Sequence, residues 1–301
     1  MKKTVLAAAI AAALVSQAQL VSKVPDADVA KIERIISQNF GRDAVPSPAK
    51  ARKVLVFFRC EGFCHNNAIS YALKALETAS RKTGAFDFDA TTDYRFMNAR
   101  NFAKYDAVVL LNCTGPDTEK HRNLENDLVN YVNGGKGLCV IHAGCDGFYK
   151  APKASSMIGG RFWGHPWYFR PGKEWSFVNE EPGHPLNRGF KASGSPFKLV
   201  EEVYQHSTPP YEPGSVRVLL SLDLKDPETK KRLDETAPGK KRTDGQFPVS
   251  WVKDYGKGRV FYTTFGHESN TFVDPQRLTH ILDALRWTIG DLAAPSAVVR
   301  K

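Results

Sequence analysis

The chain has 301 residues, 42% of them hydrophobic and 25% charged, with a formal net charge of +10. That length and apolar content suit one large globular domain, or one domain with insertions. The densest charged run, Lys225 to Arg242, mixes both signs without interleaved aromatics, which argues against nucleic acid as the partner and reads as a solvated loop.

In chain order, Lys2 and Lys3 open a short cationic start that leads into an apolar run from Val5 to Val15 and then Ser16-Gln17-Ala18. This is the pattern of a cleaved signal peptide over residues 1–18. The run is too short for a mature anchor, and no later stretch approaches the ~20 apolar residues of a spanning helix. The mature protein is therefore expected to be soluble and periplasmic or secreted, with no membrane anchor. Gln19-Leu20-Val21 offers no Cys for a lipid attachment.

Residues 19–51 read as an N-terminal helix (Asp26 to Phe40) and a Pro-containing linker, residues 52–292 as the main α/β domain, and 293–301 as a tail. Within the domain, Lys53 to Phe58, Phe86 to Thr91, Asp106 to Asn112 and Gly137 to His142 read as strands. Helical periodicity covers Asn66 to Lys82 and Glu119 to Val132, the latter stopped by Gly134-Gly135. This alternation predicts a parallel sheet flanked by helices, whose ligands bind beyond the carboxyl ends of the strands. The second half predicts extra strands at Trp175 to Val178, Lys198 to Val203, Arg217 to Leu222, Val249 to Val252 and Arg259 to Thr264. A closing helix is expected over Asp274 to Ile289.

Five cysteines occur, at positions 60, 64, 113, 139 and 145. An oxidising compartment permits disulfides, but the odd count leaves at least one thiol unpaired in a single chain. Cys139 reads as a core residue. Cys60 and Cys64 flank a loop, where they either bridge or remain free, and a redox protein built on this pair is one reading of the chain.

The strand-end loops hold most of the candidate chemistry. His142 follows an apolar strand and precedes Ala143-Gly144, so the chain turns sharply there, with the imidazole expected to stand exposed above the sheet. His65, His165, His184 and His267 also sit at strand ends or beside Gly or Pro. Imidazoles can hold zinc or a similar divalent ion, or move protons near neutral pH. No compact metal motif is present, so a metal site must be assembled by the fold. His142, His267 and Glu202 are the catalytic candidates, and His142, His165 and His267 the candidate metal ligands.

Around them, Arg59, His65, Asp146, Tyr149, Arg161, Trp163, His165, Trp167 and Tyr204 are candidate substrate contacts. Trp163, Trp167 and Tyr168 would supply an aromatic wall for sugar stacking, or else an ordinary core cluster. His65 serves the site or caps the following helix. His184-Pro185 reads as a structured turn. In an alternating segment Glu202 and Tyr204 share a face, with Glu201 opposite. No phosphate loop, dinucleotide-binding Gly-x-Gly-x-x-Gly or serine-hydrolase elbow stands in its required context, so neither nucleotide nor flavin is expected.

Gly137 to Gly144 (GLCVIHAG), Gly159 to Phe162 with His165-Pro166, His184-Pro185, Glu201 to Tyr204 and Gly258 to His267 resemble, in order, the motifs of ThuA-like proteins, the trehalose-utilisation family. Gly62 to Asn67 is similar to that family's Gly-Phe-x-His loop. The resemblance runs from about Lys53 to Ile289. It implies a flavodoxin-like, class I glutamine amidotransferase-like fold. It also implies a link to the processing of disaccharides or 3-keto-glycosides, alongside a sugar oxidoreductase in the same pathway. In class I amidotransferases the strand-to-helix turn carries a nucleophilic Cys, and here His142 holds that position, so glutaminase chemistry is excluded. Cys145, three residues on, is a displaced thiol supported only by proximity. The expected function is an exported enzyme that cleaves or isomerises a glycoside or 3-keto-sugar by His and Glu acid-base chemistry, with or without a divalent metal. A non-catalytic sugar-binding protein using the same pocket is the alternative.

Overall fold

The computed structural model describes residues 21–40, 51–116 and 118–299. The expected signal peptide and nearly all of the linker lie outside the described residues. Helix α1 (Asp26–Phe40) precedes β1 (Lys53–Phe57), α2 (Asn66–Thr83), β2 (Asp87–Thr91), α3 (Ala99–Phe102), β3 (Ala107–Leu111), α4 (Leu124–Asn133) and β4 (Gly137–Ile141). There follow α5 (Pro152–Ile158), β5 (Trp175–Asn179), β6 (Phe197–Leu199), β7 (Arg217–Leu222), α6 (Pro227–Asp234), β8 (Pro248–Tyr255), β9 (Gly258–Thr263), α7 (Asn270–Val273) and α8 (Pro275–Thr288).

The strands form one nine-stranded sheet in the order β2-β1-β3-β4-β9-β8-β7-β5-β6. Its first five are parallel, in the flavodoxin-like order, and the remaining neighbours pair antiparallel. The expected parallel core with extra strands in the second half is thus present. The last parallel strand, β9, arrives only after the whole antiparallel extension has been built.

Both faces of the parallel half are covered, which is why β3 and β4 read as unbroken apolar runs. Alternate residues feed opposite layers. Val54 and Val56 join a core with α1, α2 and α8, whereas Leu55 and Phe57 join one with α4 and α5. Helix α1 is integral to the first layer through buried Ile32, Ile35, Ile36 and Phe40, and the Tyr71 hydroxyl bonds Asp28 at 2.6 Å. The C-terminal segment also packs down, with the Pro295 and Ala297 carbonyls accepting from His184 and Arg217.

Two expectations need correction. The run Lys225 to Arg242 is not a plain solvated loop: Asp226 and Pro227 start helix α6, the Asp226 carboxylate accepting from Thr229 N. At its end Arg242 is buried, bonded to the His206 carbonyl and to Thr208. The strand expected over Lys198 to Val203 stops at Leu199. Beyond it the chain is irregular, touching its neighbours through isolated bridges at Val203 and His206. There Tyr204 N donates to Thr264 Oγ1, just past β9.

Candidate functional site

The parallel strands release their chains at one edge of the sheet, and three of the resulting loops carry a histidine inward. After β1, the loop to α2 is closed by a disulfide between Cys60 and Cys64. It is also held by Thr114, whose carbonyl and hydroxyl accept from Glu61 N and Gly62 N at 2.8 and 3.1 Å. His65 ends this loop as the residue before α2, but its side chain makes no capping bond. The ring is buried and turned to the site, and its Nδ1 has no hydrogen-bond partner.

After β4, His142 opens a single 3-10 turn (His142–Cys145) rather than a long helix. Its φ of 48° is left-handed, as is that of Asn112 at the end of β3, also 48°. Left-handed backbone at ordinary residues costs energy and gathers at functional sites. Asn112 ties the strand ends together, accepting from Ala143 N and donating to the Gly266 carbonyl at 2.9 Å. The turn leaves no room beneath it: a Cβ on Gly144 would stand 2.4 Å from the Leu110 carbonyl oxygen.

The exposure expected of His142 is not found, for the ring is wholly buried beneath the chain from Glu201 to Tyr204. Its Nδ1 donates to the Thr264 carbonyl at 2.6 Å, and a carbonyl can only accept. The proton is thereby fixed on Nδ1, and Nε2 presents a lone pair to the centre.

Glu202 and Glu201 face opposite ways, as alternation predicted. Glu201 is fully buried and paired with Arg277 at 3.2 Å and Thr271 at 2.8 Å. Its other oxygen accepts from Glu202 N at 3.1 Å. Glu202 enters the site, where Oε2 lies 3.4 Å from His142 Nε2 and 3.1 Å from His267 Nδ1. His267 follows β9, and its Nδ1 is 3.3 Å from His142 Nε2. On the other carboxylate oxygen, half-exposed His165 places Nδ1 at 3.2 Å.

One ligand atom from each of His65, His142, Glu202 and His267 falls within 4.8 Å of all the others. Ligands about 2.0–2.1 Å from a tetrahedral ion stand roughly 3.3 Å from each other. The triangle of His142 Nε2, Glu202 Oε2 and His267 Nδ1, with sides of 3.4, 3.1 and 3.3 Å, has that size. The group differs from the candidate ligand set of His142, His165 and His267 by including His65 and Glu202, while His165 sits outside it, at the mouth.

The electrostatics fit the same group. Burial, reinforced by neighbouring His142 and His267, pulls His65 down to about 2, so its ring stays neutral and able to ligate. At His267 burial opposes the charged form, but the bond and charge of Glu202 outweigh it and raise the pKa. Burial likewise opposes ionisation of Glu202, yet His142 and His267 win, and the carboxyl is held below its usual range.

The remaining candidates divide by location. Tyr204 is buried with its ring 4.4 Å from that of His142, and Phe162 packs on Tyr204 at 4.5 Å. Asp146 accepts from the Tyr149 hydroxyl, and Arg161 lies over the Tyr149 ring at 5.5 Å. Burial raises the Asp146 carboxyl. Trp163 is 39% exposed, and Phe63, 70% exposed, stands beside His65. Arg59 pairs with Glu61 and lies over Tyr94. Trp167 cannot stack on a ligand, because it is fully buried with Nε1 donating to the Thr229 carbonyl. His184 caps the turn Pro185–Ser193 by accepting from Leu186 N. Cys145 is a core thiol, raised by burial and bonded to the Tyr262 hydroxyl. Sequence reasoning missed Asn112, Thr264, Thr271 and Arg277. Of these, only Asn112 carried a signal, as a polar residue closing a buried strand.

The family model for trehalose utilisation, ThuA, matches residues 53–288. Among solved structures, a protein described as ThuA-like from Bacteroides uniformis is 22% identical, with a TM-score of 0.60 over 81% of this chain and 94% of that one. A second, from Parabacteroides merdae, is 19% identical, with a TM-score of 0.53 over 84% of this chain and 93% of that one. At these identities the likeness is one of fold. No curated protein matches the chain at a significant level. With the family model spanning the sheet and all four residues of the candidate centre, the chain belongs to the ThuA, or trehalose-utilisation, family.

Proposed function

We propose that this protein is an exported enzyme that cleaves or isomerises a glycoside or 3-keto-sugar at a divalent metal held by His65, His142, Glu202 and His267. The observation that carries this reading is the triangle of His142 Nε2, Glu202 Oε2 and His267 Nδ1, with sides of 3.1 to 3.4 Å. Two ring nitrogens and a carboxylate oxygen at these mutual distances have the spacing of ligands around one small divalent ion. The bond from His142 Nδ1 to the Thr264 carbonyl is the outer-shell bond that orients a ligating imidazole. Such an ion, when bound, polarises a carbonyl or hydroxyl oxygen of the sugar.

The chain's own residues supply the remainder. His165 bonds Glu202 Oε1 and is half-exposed, so it stands where a proton can pass to or from a sugar oxygen at the mouth. Buried Tyr204 and half-buried Phe162 pack beside His142 and His165 and limit water there. Exposed Phe63 and Trp163 offer apolar faces to a sugar ring.

The test is metal analysis of the purified protein, combined with turnover of disaccharides and their 3-keto derivatives. Near-stoichiometric metal is expected, with turnover lost on chelation and reduced at least about a hundredfold in His142→Ala. A folded His142→Ala variant with unchanged turnover overturns the assignment. Binding of the same sugars without turnover assigns the pocket to a sugar-binding protein instead.

A further inference from the structure

Beside the histidine centre lies a second depression of about 510 Å³, bordered by Arg161, Trp163, Ser207, Thr208, Lys241, Arg242, Thr243 and Asp244. Its volume is that of a small-ligand site. The segment from Arg161 to His165 borders both: Arg161 and Trp163 line the depression, Phe162 packs on Tyr204, and His165 bonds Glu202. The two spaces therefore share one wall, with the 39% exposed Trp163 at the border.

The lining carries three cationic side chains and one carboxylate. Asp244 is engaged with Arg242, whose other donors go to the His206 carbonyl and Thr208. Among the described residues Arg161 and Lys241 meet no carboxylate. Arg161 lies over the Tyr149 ring, and Lys241 donates to the Leu233 and Asp234 carbonyls. Two polar atoms on this lining are buried without a partner, Arg161 Nε and Ser207 Oγ. Buried donors left unpaired are costly, and a guanidinium with a free N–H beside hydroxyls suits a planar oxyanion. Trp163 supplies an apolar face at the junction.

We propose that this depression is a subsite for a carboxylate carried on the distal ring or open-chain end of a sugar ligand. The ligand lies against Trp163, with its acidic group meeting Arg161, Ser207 and Lys241. This inference rests on the carbohydrate reading above and narrows it to acidic, elongated sugars.

Lactose and lactobionate, in which the reducing-end ring is oxidised and opened to a chain ending in a carboxylate, test it by calorimetric titration of the metal-loaded protein. Lactobionate is expected to bind at least about tenfold tighter, as befits a charge-assisted bond, with the gap narrowing as salt is raised. Arg161→Gln closes most of the gap, and Lys241→Gln, on a less buried side chain, narrows it. Equal binding of the two sugars overturns the acidic subsite and leaves the carbohydrate reading standing. A preference that survives both substitutions but disappears on chelation places the carboxylate on the metal and also overturns the subsite. Failure of both sugars, and of a broader glycoside panel, to bind fully metal-loaded protein overturns both readings together.

Discussion

His142 Nε2 faces Glu202 Oε2 across 3.4 Å while its other nitrogen is committed to the Thr264 carbonyl. A lone pair is thereby aimed toward a carboxylate oxygen, and in the metal reading proposed above Glu202 supplies the charge that a cation would meet. Glu202→Gln preserves the shape and removes the charge. Divalent-metal affinity is expected to fall at least about a hundredfold, measured by titration with zinc, with the fold unchanged by circular dichroism. Undiminished affinity would remove Glu202 from the ligand set.

Glu201 is the structural counterpart of its neighbour. It is fully buried, answers the charge of Arg277 and holds Glu202 N. Glu201→Ala leaves the buried Arg277 guanidinium with Asp274, 3.3 Å from its Nε, as its remaining carboxylate partner, at an expected cost of about 2–3 kcal/mol in urea unfolding. Glu201→Gln, which keeps the shape and one of the two accepting oxygens, should lose less. Equal losses in the two variants would show that packing rather than charge sets the cost.

Imidazoles buried away from the site should add to the acid sensitivity that His65 and Glu202 bring within it. Burial holds His280 down at about 4 and His206 at about 3. Nδ1 of His280 donates to the Leu186 carbonyl, and its Nε2 lies 2.8 Å from Ser250 Oγ. Because their folded values lie below the unfolded value of about 6.5, the stability they contribute is complete above that pH. It is lost as pH falls toward their folded values. The loss reaches about 3 kcal/mol for His280 alone. Urea midpoints taken from pH 7 down to pH 4.5 should decline, and His280→Gln should start lower but decline less steeply. Identical slopes would rule His280 out as the source.

The thiol inventory gives a direct chemical check. Cys60 and Cys64 are joined, and Cys113, Cys139 and Cys145 are buried thiols, with Cys113 pushed up to about 12 by burial. Native protein should react with almost no thiol reagent. Denatured protein should show three thiols before reductant and five after it. Five thiols before reductant would mean that the disulfide closing the loop that carries His65 does not form.

Most of the parallel half could be read from the sequence, because strands covered on both faces must be apolar throughout. Val54 to Phe57, Ala107 to Leu111 and Gly137 to Ile141 follow that rule. Loop positions at strand ends likewise pointed to His142 and His267. Burial was less legible: nothing in the run of aromatics from Phe162 to Phe169 says that Trp167 turns inward while Trp163 turns out. His65 stayed ambiguous because a residue before a helix is also where a cap belongs. The backbone carbonyl of Thr264, which orients His142, carries no side-chain signature at all. The helix over Pro227–Asp234 was hidden by its charges, although Asp226-Pro227 is a start signal that local chemistry could have supplied.

The strand order has a consequence for assembly. His267 reaches the centre from the loop after β9, which pairs with β4 although β5 to β8 lie between them in the chain, and it meets His142 from 125 residues away. Such distant partners are brought together late, after the loops between them have closed. The centre is therefore complete only in a chain that extends through β9 to His267. An ion bound there would latch the first and last parts of the sheet into one cooperative unit.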